Sequence, residues 1–172
     1  MRINMDFLEL AAKRYSARNF KELPVPQTMI DKILLAGNVA PTAHNYQPQK
    51  IIVVNSQKGL ETLKKCTECH CNAPLAFIIC YDRKKCWKRS YDNKDSGDID
   101  ASIVATHMMM EATELGIGST WIMYFIPEAV KVEFDLSDNI EPVAILIMGY
   151  TDTTPSQEHF KRCTIEEYVS YV

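Results

Sequence analysis

A single domain of interspersed helices and strands, α/β or α+β in class, is what this sequence of 172 residues predicts. Three features point there. The apolar runs KIIVVN (50–55), PLAFIICYD (74–82) and PVAILIMGY (142–150) are strand-sized and far too short to cross a membrane. Between them lie segments whose apolar residues recur every three to four positions, the period of a helix packed on one side. Hydrophobic residues make up 47% of the chain and charged residues 24%, which suffices for one sizeable core.

The elements follow in order. Asp6 can cap a first helix carrying Phe7, Leu8, Leu10 and Ala11 and ending near Lys13 and Arg14. The polar segment RYSARNF (14–20) comes next, and Pro24 and Pro26 keep the connection after it extended. A second helix, from about Gln27 to Gly37, aligns Ile30, Ile33, Leu34 and Gly37 on one face. APTAHNYQPQ (40–49) is a loop punctuated by Pro41 and Pro48, and strand 50–55 follows it. Ser56 can cap a third helix through Leu60 and Leu63, which runs into CTECHC (66–71). After strand 74–82, the polar stretch 83–98 predicts a mobile loop. From about Ile99 to Leu115 the helical pattern is apolar on two sides, so that helix is expected in the middle of the structure, ended by Gly116 and Gly118. STWIM (119–123) is a further strand, Pro127 opens a short helix through Val130 and Phe134, and 142–150 is the last strand. The tail from Thr151 is polar first and then mildly β-prone.

Charge and composition exclude several classes of function. A net charge of −3 disfavours non-specific binding to a nucleic acid, which requires a basic surface. No apolar run spans a membrane, and MRINMDFLELAAKR interrupts its apolar pattern with charges, unlike a signal peptide. The cytoplasm is the expected location, and there the six cysteines are expected as thiols or ligands rather than as a disulfide framework.

Four groups of residues could carry chemistry. CTECHC places Cys66, Cys69, His70 and Cys71 within six positions, and Cys66–His70 matches the C-x-x-C-H pattern of haem attachment. A metal-binding or redox-sensing protein built on residues 66–71 is one hypothesis, although a second C-x-x-C that would complete a zinc or iron–sulfur ligand set is missing. Arg14, Ser16 and Arg18 put two guanidinium groups around a hydroxyl, a donor set for phosphate oxygens; by spacing alone a solvated basic turn is the better reading. The loop Pro41–Pro48 carries Asn45 and Gln47, whose amides can meet the donors and acceptors along the edge of a planar heterocycle. Trp121–Phe125 is an apolar aromatic run able to wall a flat ring or to fill a core. The acidic residues at 92, 95, 98 and 100 lack the spacing of a calcium loop.

Taken in order, these pieces resemble the nitroreductase family of flavoproteins. The matching parts are R-x-S-x-R after an N-terminal helix (Arg14, Ser16, Arg18), and Pro41, Thr42, Asn45, Gln47 and Pro48 between a helix and a strand. Asn72-Ala73-Pro74 enters another strand, and a long helix ends in Leu115, Gly116, Gly118, Ser119 and Trp121. A P-V-A strand closes in Gly149-Tyr150, with Arg162 downstream. The resemblance covers nearly the whole chain. It implies one α+β domain over residues 1–172, with a small, mostly antiparallel sheet flanked by helices, in an intertwined homodimer. It implies an enzyme with FMN at the subunit interface that takes hydride from NADH or NADPH and reduces nitroaromatics, quinones or other small acceptors by a ping-pong mechanism. A flavin-binding protein without that turnover is the alternative on the same fold.

By the same resemblance, Arg14, Ser16 and Arg18, with Tyr15 among them, would hold the FMN phosphate and the polar edge of the ring, and Lys161 and Arg162 would add to the phosphate site. Pro41, Thr42, Ala43 and Asn45 would pack on the flavin from the partner subunit. Trp121, Ile122, Met123 and Tyr124 would lie beside flavin N5, offering backbone N–H groups and an apolar wall. Met123 stands where compact relatives often carry glycine, and CTECHC stands where larger ones carry an Asn and a Lys for the ring edge. The flavin carries the redox chemistry, so no catalytic side chain is expected.

Overall fold

The apolar runs pair into one four-stranded sheet in the computed structural model, which describes residues 6–172. Residues 1–5, the start of the stretch read as unlike a signal peptide, lie outside the described residues. Strands β1 (Gln49–Val54), β2 (Leu75–Asp82), β3 (Gly118–Ile122) and β4 (Ile140–Gly149) lie in the order β1-β2-β4-β3. Every neighbouring pair is antiparallel, which makes the domain α+β. Pro142, which has no N–H for the ladder, sits where the β2–β4 register shifts beside Cys80.

Helices cover both faces, so β2 reads as a continuous apolar run: Leu75 to Tyr81 are all buried. On one face Leu75, Phe77 and Ile79 meet α2 (Gln27–Asn38) and α4 (Gly97–Glu114) through Ile30, Ile33, Val104 and Met108. On the other, Ala76, Ile78 and Cys80 meet α3 (Gln57–Lys64) and α5 (Pro127–Glu133) through Leu63 and Val130. The Asp6 and Ser56 side chains cap α1 (Phe7–Lys13) and α3, accepting from the N–H groups of Glu9 and Gly59. Helix α4 starts two residues earlier than its apolar pattern suggests and is buried along much of its 18 residues. Gly37 lets α2 approach it, since a Cβ there would lie 2.9 Å from the Met108 side chain.

The tail departs from expectation. Its end forms no strand; instead a short helix α6 (Gln157–Phe160) and a 3-10 turn (Ile165–Glu167) follow each other, largely exposed. A reciprocal capping box between Thr164 and Glu167 competes successfully with the β preference of Tyr168 and Val169, which have no covered face to enter.

Candidate functional site

The segment after α1 leaves the helix in extended conformation at Arg14 and lies along the outer edge of β3. Ser16 pairs in parallel with Ser119, the Ala17 N–H donates to the Ser119 carbonyl at 3.1 Å, and the Thr120 hydroxyl donates to the Ala17 carbonyl. Ala17 and Phe20 are buried, so the exposed Ser16 and Arg18 are held from beneath. Because the pairing is parallel, Arg14 to Arg18 runs in the same direction as Ser119 to Met123. The end at Arg14 is the more cationic, and the other end, at Arg18, lies roughly 13 Å further on towards the end of β3.

At the cationic end, a cavity of about 180 Å³ opens between Arg14, Tyr15, Gly118, Ser119 and Thr151, with Lys13 at its rim. The tail closes on it: the His159 ring bonds the Ala12 carbonyl at 3.0 Å and packs edge-on to Tyr15, and the Tyr15 hydroxyl donates to the Thr153 carbonyl. That brings Arg162 beside Arg14. Burial and the Arg162 charge both push the Arg14 guanidinium below its ordinary pKa. Among the described residues neither Arg14, Arg18 nor Arg162 has a carboxylate within ion-pair distance. Lys161 does, pairing with Glu158. The Ser119 hydroxyl is buried in the same cavity with no hydrogen-bond partner. Two uncompensated guanidinium groups and an orphaned hydroxyl fit a bound dianion such as a phosphate monoester.

At the far end, Ile122 is committed to the core and Trp121 is half-buried against the opposite core face. Any contact with a ligand there would come from their backbone and from Met123 and Tyr124, whose side chains are exposed. The cysteine-rich turn borders this end. The Thr67 hydroxyl donates to the Tyr124 carbonyl at 2.6 Å, and the Cys66 carbonyl accepts from the Ile126 N–H at 2.9 Å. Burial and then Cys69 push the Cys71 thiol pKa up, against the pull of Arg18, so Arg18 faces this turn. Cys66 is fully buried, and burial together with Glu133 raises its pKa against the pull of Lys65, the reverse of a reactive thiol. Among the described residues no three Cys, His, Asp or Glu side chains are arranged to hold a metal ion.

The loop Pro41–Pro48 is built elsewhere. His44, Asn45 and Gln47 have φ of 52°, 55° and 49°, a costly concentration of left-handed residues. Asp100 of α4, 1% exposed, sustains it by accepting from the Ala43 N–H at 2.8 Å and from the Ser96 hydroxyl at 2.7 Å. Thr42 accepts from the Gln47 N–H, and His44 stacks on Trp87 with ring centroids 5.3 Å apart. The exposed Pro41 and Asn45 and the half-buried Thr42 and Ala43 thus sit by the N-terminal end of α4. The cationic cavity sits by its C-terminal end, roughly 20 Å along the helix from Asp100.

Comparison with known proteins settles what family this arrangement belongs to. The family model described as "Nitroreductase family" matches residues 11–70 and 70–150. The chain belongs to the nitroreductase family. A nitroreductase family protein from Clostridium difficile 630, of known crystal structure, superposes with a TM-score of 0.92 at 45% identity, over 97% of this chain and 98% of that one. An "FMN-dependent Nitroreductase" from Clostridium difficile R20291 superposes with a TM-score of 0.79 at 26% identity, over 96% and 98%. A relative from Methanothermobacter thermautotrophicus, described as "Putative NADH dehydrogenase/NAD(P)H nitroreductase", is 31% identical over 163 residues, covering 88% of this chain and 80% of that protein.

Within this nitroreductase chain the structure gathers Arg14, Tyr15 and Arg162 at one end of the track and Arg18, Met123 and Tyr124 towards the other. It keeps residues 41–45 apart. Sequence reasoning passed over three residues: Ser119 and Thr151 in the cavity, and Asp100 under the loop. Ser119 belongs to the family-like helix ending, but its pairing with Ser16 spans 103 positions and leaves no local signal.

Proposed function

We propose that this chain is an FMN-dependent oxidoreductase that takes hydride from NADH or NADPH and reduces nitroaromatic, quinone or similar small acceptors. The observation that carries the reading is the cavity lined by Arg14 and the orphaned Ser119 hydroxyl, with Arg162 close enough for its charge to act on Arg14 and neither guanidinium paired with a carboxylate among the described residues. Arg14, Ser16 and Arg162, with Lys161 and Tyr15 nearby, hold the phosphate. Arg18 serves the polar edge of the ring, and the backbone of Trp121 to Tyr124 its reactive side. FMN supplies the acceptance and release of hydride, so the chain needs no acid or base of its own. Its residues bind, orient and exclude water, and donor and acceptor use one pocket in turn.

The active unit is a homodimer. Pro41, Thr42, Ala43 and Asn45 serve the flavin of the partner subunit, which agrees with their distance from their own chain's arginines. Large apolar side chains left exposed on α1, α2 and the tail, among them Phe7, Leu35, Val39, Phe160 and Ile165, suit burial against a second copy. No helix among the described residues is long and apolar enough to cross a membrane, and we assign the protein to the cytoplasm. The test is spectroscopic. Purified protein should carry or take up FMN, bleach with NADH or NADPH, and give parallel double-reciprocal plots with a quinone acceptor. A chain that stays colourless with added FMN overturns the proposal.

A further inference from the structure

We infer that Thr67 is a positioning residue for the acceptor pocket: its hydroxyl holds the Met123–Ile126 segment that walls that pocket. The inference rests on the flavin-dependent function proposed above and goes beyond it, because it concerns how the acceptor's place is built.

Strand pairing fixes β3 only as far as Ile122, whose partner on β4 is Ile145. Past that residue the chain must find other support, since Met123 and Tyr124 are 69% and 74% exposed and bury little to anchor themselves. The support comes from the cysteine-rich turn. Thr67 is buried at 6% exposure, and its oxygen makes two bonds: it donates to the Tyr124 carbonyl at 2.6 Å and accepts from the Cys69 N–H at 3.0 Å. The Cys66 carbonyl takes the Ile126 N–H at 2.9 Å, so adjacent residues of the turn grip the segment at Tyr124 and Ile126. A valine in place of Thr67 would keep the shape and leave the Tyr124 carbonyl without its donor. Between turn and segment lies a cleft of about 400 Å³ whose walls include Thr67, Glu68, Tyr124 and Phe125.

The direction of the track decides what this segment faces. A ligand anchored by phosphate at Arg14 and Ser119 extends towards Arg18 and the end of β3. Arg18 is close enough to act on the Cys71 thiol. The reactive part of the ligand therefore ends among Arg18, the 66–71 turn and Met123–Tyr124. An acceptor stacking on it meets Met123 and Tyr124 first. Their position depends on a bond from Thr67, a residue that is itself buried.

The experiment uses the full-length, FMN-loaded protein and the variants Thr67→Val and Thr67→Ser. Three quantities are measured: bound FMN, hydrogen exchange of the peptide covering residues 123–126, and kcat and KM for p-benzoquinone. In Thr67→Val the Ile126 amide should exchange roughly ten-fold faster. The KM for the quinone should rise several-fold, while FMN content stays at the wild-type value. Thr67→Ser, which keeps the hydroxyl, should restore both. Thr67→Ala carries the same contrast where Thr67→Val does not fold. Unchanged exchange shows that Thr67 does not hold the segment; faster exchange with unchanged KM shows that the segment does not wall the pocket. Either result overturns the inference while wild-type flavin binding stands. A wild-type chain that takes up no FMN overturns the functional reading first, and this inference with it.

Discussion

Replacing Arg14 with glutamine tests the cationic cavity most directly. The Arg14 guanidinium makes no hydrogen bond or ion pair among the described residues; it lies half-buried, and burial and the Arg162 charge both disfavour its charged form. Removing it should therefore leave the apo protein as stable as before or slightly more so. A charged hydrogen bond contributes about 1.5–3 kcal/mol, and a guanidinium can make two to one phosphate. Partial exposure screens that gain, and the relief of repulsion in the free protein acts in the same direction as the lost bonds. A net loss of about 2–4 kcal/mol follows, or roughly a 30- to 700-fold weaker FMN affinity. Flavin fluorescence quenching at two salt concentrations measures it, with thermal unfolding of apo protein alongside. The variant's affinity should also be less sensitive to salt. FMN affinity within three-fold of wild type, or an apo protein strongly destabilised by the change, would refute the assignment of Arg14 to the phosphate.

Four further outcomes are expected. Asp100→Ala strands the Ala43 N–H and the Ser96 hydroxyl in a buried place, so urea unfolding should show a loss of about 3–5 kcal/mol, with flavin affinity falling as the 41–45 loop loosens. Gly97→Ala would put a Cβ 2.0 Å from the Tyr81 ring, and overpacking of about 1–3 kcal/mol or more should lower the urea midpoint. Burial pushes the Cys80 thiol and the Tyr81 phenol up to about 12, so both stay neutral in the folded chain at pH values where the unfolded chain ionises them. Their contribution to stability is whole below pH 9 and is lost as pH rises towards 12. At pH 8, alkylation followed by mass spectrometry should find the exposed Cys163 modified first and Cys80 only on unfolding.

The elements were legible where one residue type dominated a period. The uninterrupted apolar run of β2 announces a strand covered on both faces, and the two-sided pattern of α4 announces a central helix. The sheet's antiparallel pairing came only from the family resemblance, because strand order depends on contacts between distant residues. The same limit applied to the site. Arg14, Ser16 and Arg18 are visible as a motif, yet their spacing cannot distinguish a solvated turn from a ligand site. What distinguishes them is Arg162, 148 positions away, and the Ser119 hydroxyl, neither of which is near them in sequence. CTECHC misled by composition. Its thiols look like ligands in a string of letters, whereas Cys66 packs as a small apolar residue and it is the Thr67 hydroxyl that bonds the Tyr124 carbonyl across the turn.

The parallel run of Ser16 and Ala17 along β3 has one more consequence. A four-stranded sheet has two rims, and an open rim invites another chain to add itself as a strand. Here the rim of β3 is already occupied by the chain's own arginine-bearing segment, which takes the Ser119 carbonyl and gives its own to Thr120. The stretch proposed to grip the cofactor also guards the sheet against self-association. A change that peels it away would therefore forfeit solubility as well as flavin.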